Sequence, residues 1–153
     1  VVFTRVEEKE RSTVQILDVE TKQARAITPE HFGEPRPSPD GKWIACAGDR
    51  EGGPNHGVWI VPADGSAPPR KLVDRGYRPL FSPSGAEVIY LTTDPGSCHV
   101  WAVPAAGGEP RLLLQIPTYR NYLQVDVSRD GRLLAYNTID AESSVWRWTP
   151  QEK

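Results

Sequence analysis

The chain has 153 residues, a formal net charge of −2 from 18 Lys and Arg against 20 Asp and Glu, and 38% hydrophobic residues. That is one domain's length, and its nearly cancelling charge gives no electrostatic reason to expect a nucleic acid or an anionic membrane surface as partner. No run approaches the roughly 20 apolar residues that span a bilayer, and Gly and Pro are frequent enough to foretell many turns.

The chain opens on a strand, Val1–Val6, and Thr13–Val19 follows after the charged loop Glu7–Ser12. Glu20–Gln23 makes a turn and Ala24–Thr28 leaves it as a weaker third strand, so the start reads as an antiparallel meander. With no Met anywhere, the chain reads as a piece of something longer, or as a product whose leader is gone.

From His31 to Asp74 comes the first complete unit. Glu34–Pro37 leads into the turn Ser38-Pro39-Asp40-Gly41, where Pro presets φ, Asp bonds its own backbone and Gly takes an open conformation. Lys42–Ala47 is almost wholly apolar, which means burial on both faces. A Gly/Pro loop over Asp49–His56, a buried strand Gly57–Val61, a turn Pro62–Pro69 and an outer strand Arg70–Val73 complete it.

The second unit repeats the first: lead-in Arg78–Phe81, turn Ser82-Pro83-Ser84-Gly85, strand Glu87–Thr92, loop Thr93–Ser97, strand His99–Val103, turn Pro104–Pro110 and outer strand Arg111–Leu114. The third has Tyr122–Val127, the turn Ser128-Arg129-Asp130-Gly131, and strands Arg132–Thr138 and Ser144–Trp148. Val58-Trp59, Val100-Trp101 and Val145-Trp146 fall at one place in each unit, at a period of roughly 45 residues.

No helical period is visible, so the class is all-β. A four-stranded antiparallel sheet whose middle strands are apolar on both faces must lie between like sheets, and radial stacking of such sheets is a β-propeller. The expected architecture is a partial propeller of about three to four four-stranded blades, the first and last incomplete. A single propeller-type domain spans 1–153: partial blade 1–30, blades 31–74 and 75–117, and partial blade 118–153. Trp59, Trp101 and Trp146 are the expected wedges between blades. Ser38, Pro39, Asp40, Gly41, Ser82, Pro83, Gly85, Asp130 and Gly131 are the structural turn residues. Cys46 and Cys98, inside apolar runs, read as buried thiols.

The repeated turn, the Val-Trp strand and the Arg-x-Leu strand resemble the Pro-Asp variant of the WD-type repeat found in TolB-like propellers and in propellers of prolyl-oligopeptidase-type peptidases. Arg129 departs from Pro in the third turn and Ser84 from Asp in the second. Since propellers have about four to eight blades, the count of three, four, four and three strands implies a ring completed by missing blades or by self-association through open edges. The resemblance to TolB implies a periplasmic setting.

No Gly-x-Ser-x-Gly nucleophile elbow occurs, nor a phosphate-cradling loop before a helix. His31, His56 and His99 fall at unmatched positions, and Asp49, Asp94 and Asp140 at the rim read as solvated turn residues, so no metal or cofactor is expected. The site expected instead is the channel mouth, where Glu34, Arg36, Tyr77, Arg78, Tyr119, Arg120 and Tyr122 enter the inner strands. Tyr and Arg suit a protein or peptide partner. The expectation is a non-enzymatic binding module. Its rival is the gating propeller of a serine peptidase whose catalytic domain lies outside this chain.

Overall fold

The computed structural model describes residues 1–6, 11–48, 56–117, 123–138 and 144–148, with only the backbone of 138 and 144–148. Within these, fourteen strands form four antiparallel sheets, each a meander of sequential neighbours. The first holds β1 (Val2–Val6), β2 (Ser12–Leu17) and β3 (Ala24–Ala26). The second holds β4 (Phe32–Pro37), β5 (Trp43–Gly48), β6 (Val58–Pro62) and β7 (Arg70–Val73). The third holds β8 (Tyr77–Phe81), β9 (Glu87–Asp94), β10 (Ser97–Pro104) and β11 (Arg111–Pro117). The fourth holds β12 (Val125–Val127), β13 (Leu134–Thr138) and β14 (Ser144–Trp148).

The apolar runs explain the stacking. In β5 the four residues Ile44, Ala45, Cys46 and Ala47 are all buried, and because side chains alternate, they serve two interfaces. Ile44 and Cys46 join Val14 of the first sheet and Ile27 just after it, while Ala45 joins Val88 and Tyr90 of the third. The third sheet does the same: Val88 and Tyr90 face the second sheet, Ile89 and Leu91 face Leu134 of the fourth. Three small cores, one between each pair of blades, replace one central core. Trp59 packs on the first of these, edge-on to Phe32 with ring centroids 5.5 Å apart, and Trp101 lies on the second. The side chain of Trp146 lies outside the described residues.

The Ser turns are built from one set of bonds. Ser38 Oγ donates to Asp40 Oδ1 at 2.6 Å and accepts from the Trp43 amide at 2.9 Å, while the Lys42 amide donates to Asp40 Oδ1 at 3.0 Å. Ser128, Asp130, Arg132 and Leu133 repeat all three bonds. In the second turn Ser84 takes the place of Asp, and its hydroxyl lies 3.2 Å from Ser82 Oγ and accepts from the Ala86 amide at 3.3 Å. Gly41, Gly85 and Gly131 have φ of 70°, 73° and 72°, the left-handed region where a Cβ is costly.

Some boundaries differ from the sequence reading. β2 ends at Leu17 rather than Val19, because Asp18 Oδ1 accepts the amides of Glu20 and Thr21 and bends the chain there. The loop expected over Thr93–Ser97 is only Pro95-Gly96: β9 runs to Asp94, β10 starts at Ser97, and those two residues pair. Pro95 followed by Gly96 at φ 81° is the residue pattern of a type II turn. The outer strand β11 continues past Leu114 to Pro117.

Candidate functional site

The inner strands β4 and β8 lie side by side, and each carries a bulge where the sequence placed the channel mouth. Pairing with the second strand of the blade shifts between Gly33 and Arg36 in β4 and between Tyr77 and Leu80 in β8. The residues inside the bulges are Glu34-Pro35 and Arg78-Pro79. Pro has no N–H to give a neighbouring strand, so the ladder breaks there. Glu34 and Arg78 both have positive φ, 52° and 50°. Positive φ is uncommon outside Gly, and strain of this kind clusters where a site needs it.

The two bulges are joined. The Arg78 amide donates to Glu34 Oε2 at 2.6 Å, and the Arg78 guanidinium lies 3.9 Å from Glu34 Oε1. From the same guanidinium, NH1 donates to the backbone carbonyl of Leu123, just before β12. A continuous polar line therefore crosses three consecutive blades: Glu34, Arg78, Leu123. Glu34 keeps 45% of its side chain exposed against 29% for Arg78. Glu34 thus remains open to solvent, whereas Arg78 holds the blades in place.

The other nominated residues divide. Arg36, two residues beyond Glu34, is exposed. Tyr77 instead packs on the core between the third and fourth blades, its hydroxyl 3.9 Å from Cys98 Sγ. Burial, with the neighbouring Cys98, pushes its phenol well above the usual range. Tyr119, Arg120 and Tyr122 lie outside the described residues, as do Asp49 and Asp140. The signal overlooked in the sequence is the dipeptide before each full turn: Glu34-Pro35 and Arg78-Pro79 each stand four residues ahead of Ser-Pro.

Two further arrangements were not foreseen. Arg25 of β3 donates to the Ala63 carbonyl at 3.1 Å, and Arg70 of β7 donates to the carbonyls of Ala105 at 2.7 Å and Ala106 at 3.3 Å. Each outer-strand Arg thus ties its blade to a turn of the next. Arg111 occupies the same place in β11 but closes on Glu87 of its own blade through two bonds, at 3.2 and 2.9 Å. Beside that pair is a groove of about 400 Å³ between the third and fourth blades, lined by Glu87, Arg111, Leu113, Arg132 and Leu133 among others.

At the rim, Asp94 lies 3.6 Å from Arg75 and 3.3 Å from His99 Nδ1. That close approach is not a hydrogen bond: Nδ1 is buried and has no hydrogen-bond partner among the described residues. Among the described residues no group of three or more His, Cys, Asp or Glu side chains could hold a metal ion.

Four sheets stacked through paired faces around a row of inner strands define a partial β-propeller. In fold the chain is a TolB-like propeller. Against TolB from Acinetobacter baumannii the TM-score is 0.71 at 19% identity, covering 99% of this chain and 41% of that one. The β-propeller domain of the Trilobed protease from Pyrococcus furiosus, described as having an open velcro topology, gives 0.64 at 16% identity over 99% of this chain and 51% of that one. In sequence the chain is 31% identical over 138 residues to an uncharacterised protein of Agrobacterium fabrum, covering 82% of this chain and 43% of the relative. The chain therefore spans less than half the length of that relative. No family model matches it.

Proposed function

We propose that the chain is part of a non-enzymatic propeller module that binds a protein or peptide at the channel mouth. The observation that supports this most is the joined pair of left-handed bulges, which holds the Glu34 carboxylate in place while leaving it open to solvent, with Arg36 exposed two residues further along β4. A held carboxylate and an exposed guanidinium two residues apart in sequence offer an acceptor and a forked donor to a polypeptide backbone or to its charged side chains. Arg120, grouped with these residues by the sequence, is proposed to take part in the same recognition. Further blades of a longer chain, or self-association, complete the ring.

The test uses Arg36→Ala and Arg120→Ala together. Partner capture is expected to fall at least about tenfold, equivalent to roughly 1.4 kcal/mol, with no change in melting temperature. Capture unchanged in the double variant overturns the site. Arg78 is unsuitable for this test, because its bond to the Leu123 carbonyl makes it structural as well.

A second reading has one observation in its favour, the fold shared with the propeller domain of a protease. In that case the module gates a catalytic domain carried elsewhere on the polypeptide. The complete reading frame decides: a Gly-x-Ser-x-Gly domain in it supports the gate, and its absence removes that reading.

A further inference from the structure

Arg78 is held in a conformation that its own sequence disfavours. It precedes Pro79, and a residue before proline is driven to the extended region, yet its φ is 50°. A non-Gly residue persists there only where its surroundings over-determine it. Three contacts do so here. The Arg78 amide donates to Glu34 of the second sheet, the guanidinium donates to the Leu123 carbonyl just before β12, and Pro79 is fully buried. Two of the three reach other blades, so the conformation of this one residue depends on both neighbours.

The far end of this polar line is lightly held. β12 is only three residues long, and among the described residues it pairs with β13 alone. Just before it, the Gln124 amide donates to Asn137 Oδ1 at 2.5 Å, and the Asn137 amide donates to the Gln124 carbonyl at 3.3 Å. Leu123, whose carbonyl accepts from Arg78, is buried in the core between the third and fourth blades. The entry to the fourth blade is therefore held by Asn137 from within and by Arg78 from the blade before. The near end is open to solvent, since Glu34 keeps 45% of its side chain exposed.

We infer that Glu34 is coupled to the entry of β12 through Arg78, a conformational relay from the second blade to the fourth. A ligand that draws the Glu34 carboxylate off the Arg78 amide removes one of the contacts that hold the left-handed bulge. Arg78 then relaxes toward the extended region that Pro79 favours, and its guanidinium leaves the Leu123 carbonyl. Occupancy of the channel mouth thus loosens the inner strand of the fourth blade. Coupling of this kind is reciprocal, so whatever fixes the entry of β12 weakens a ligand's hold on Glu34. The role of a ligand rests on the channel-mouth reading above, whereas the coupling is a property of the chain alone.

Amide hydrogen exchange followed by NMR on the 153-residue chain, with no ligand present, tests the relay. Glu34→Ala stands in for the withdrawn carboxylate. It should speed exchange at the amides of Leu123–Val127 about tenfold, with β9 unchanged. Glu34→Gln keeps an oxygen that can accept from the Arg78 amide and should stay within about twofold of the parent. Arg78→Gly loses the guanidinium and eases the left-handed backbone. Adding Glu34→Ala to it should change exchange in β12 no further. Unchanged exchange in Glu34→Ala, or the same acceleration in the Arg78→Gly background, overturns the inference. Equal acceleration in β9 also overturns it, because the whole chain is then destabilised rather than one strand. No partner takes part, so failure of the relay is distinct from failure of partner capture in the Arg36 and Arg120 variants.

Discussion

Ser38 does two jobs in one turn: its hydroxyl accepts the Trp43 amide and donates to Asp40. Because Ser38 is buried, Ser38→Ala leaves the Trp43 amide without its partner and should cost about 1–3 kcal/mol, read as a lower melting temperature. Asp40→Ser should fold normally, since Ser84 already occupies that position in the second turn. The Ser38 hydroxyl, then the Lys42 amide, hold the Asp40 carboxyl below its usual 3.8, and Ser128 and the Arg132 amide do the same for Asp130. A folded value below the unfolded one means that stability is present above the unfolded value and is lost as pH falls through the folded one. Melting temperature measured from pH 5 downward should therefore drop below about pH 4, and Asp40→Ser should flatten that drop; an unchanged acid limb would contradict it. Cys46 is fully buried and its thiol is pushed up to about 12 by burial, while burial also raises Cys98. Neither should react with a thiol reagent at pH 8 until the chain unfolds.

At the scale of the element, the double-faced strands β5, β6, β9 and β10 decide stability. Leu91 is fully buried and packs between the third and fourth blades. Leu91→Ala should cost about 2–5 kcal/mol, with the midpoint of denaturant unfolding as the measure. The bulges give a sharper test. Arg78→Ala removes the bond to the Leu123 carbonyl and keeps a Cβ at φ 50°. Arg78→Gly removes the same bond but relaxes the left-handed backbone, so it should be the more stable of the two by about 1 kcal/mol. Equal stabilities would show that the bulge is not strained. The Ser turns were readable because Pro, Asp and Gly each have a local preference there. The left-handed Glu34 and Arg78 were not, since nothing in a Glu-Pro or Arg-Pro pair favours positive φ. Both residues were nevertheless singled out, as charged groups entering inner strands, and the structure joins them.

The whole molecule is held by three inter-blade cores and a relay of backbone clamps, so each blade depends mainly on its neighbours. Hydrogen exchange should be slowest in β5, β6, β9 and β10, which have a blade on both sides, and fastest in β3, whose three residues are all exposed. The all-β class, the period and the turn chemistry were set by local pattern: alternation, an apolar run without helical spacing, and a turn that closes with its own side chains. Tertiary structure decided the rest. It packed Tyr77 against the core between the third and fourth blades, tied Arg78 to two blades, and set the Arg25 side chain on the Ala63 carbonyl 38 residues away. The reason is physical. A turn or strand answers to forces within a few residues, while a partner on the next blade depends on how two sheets twist and stack, a distance that no local preference spans.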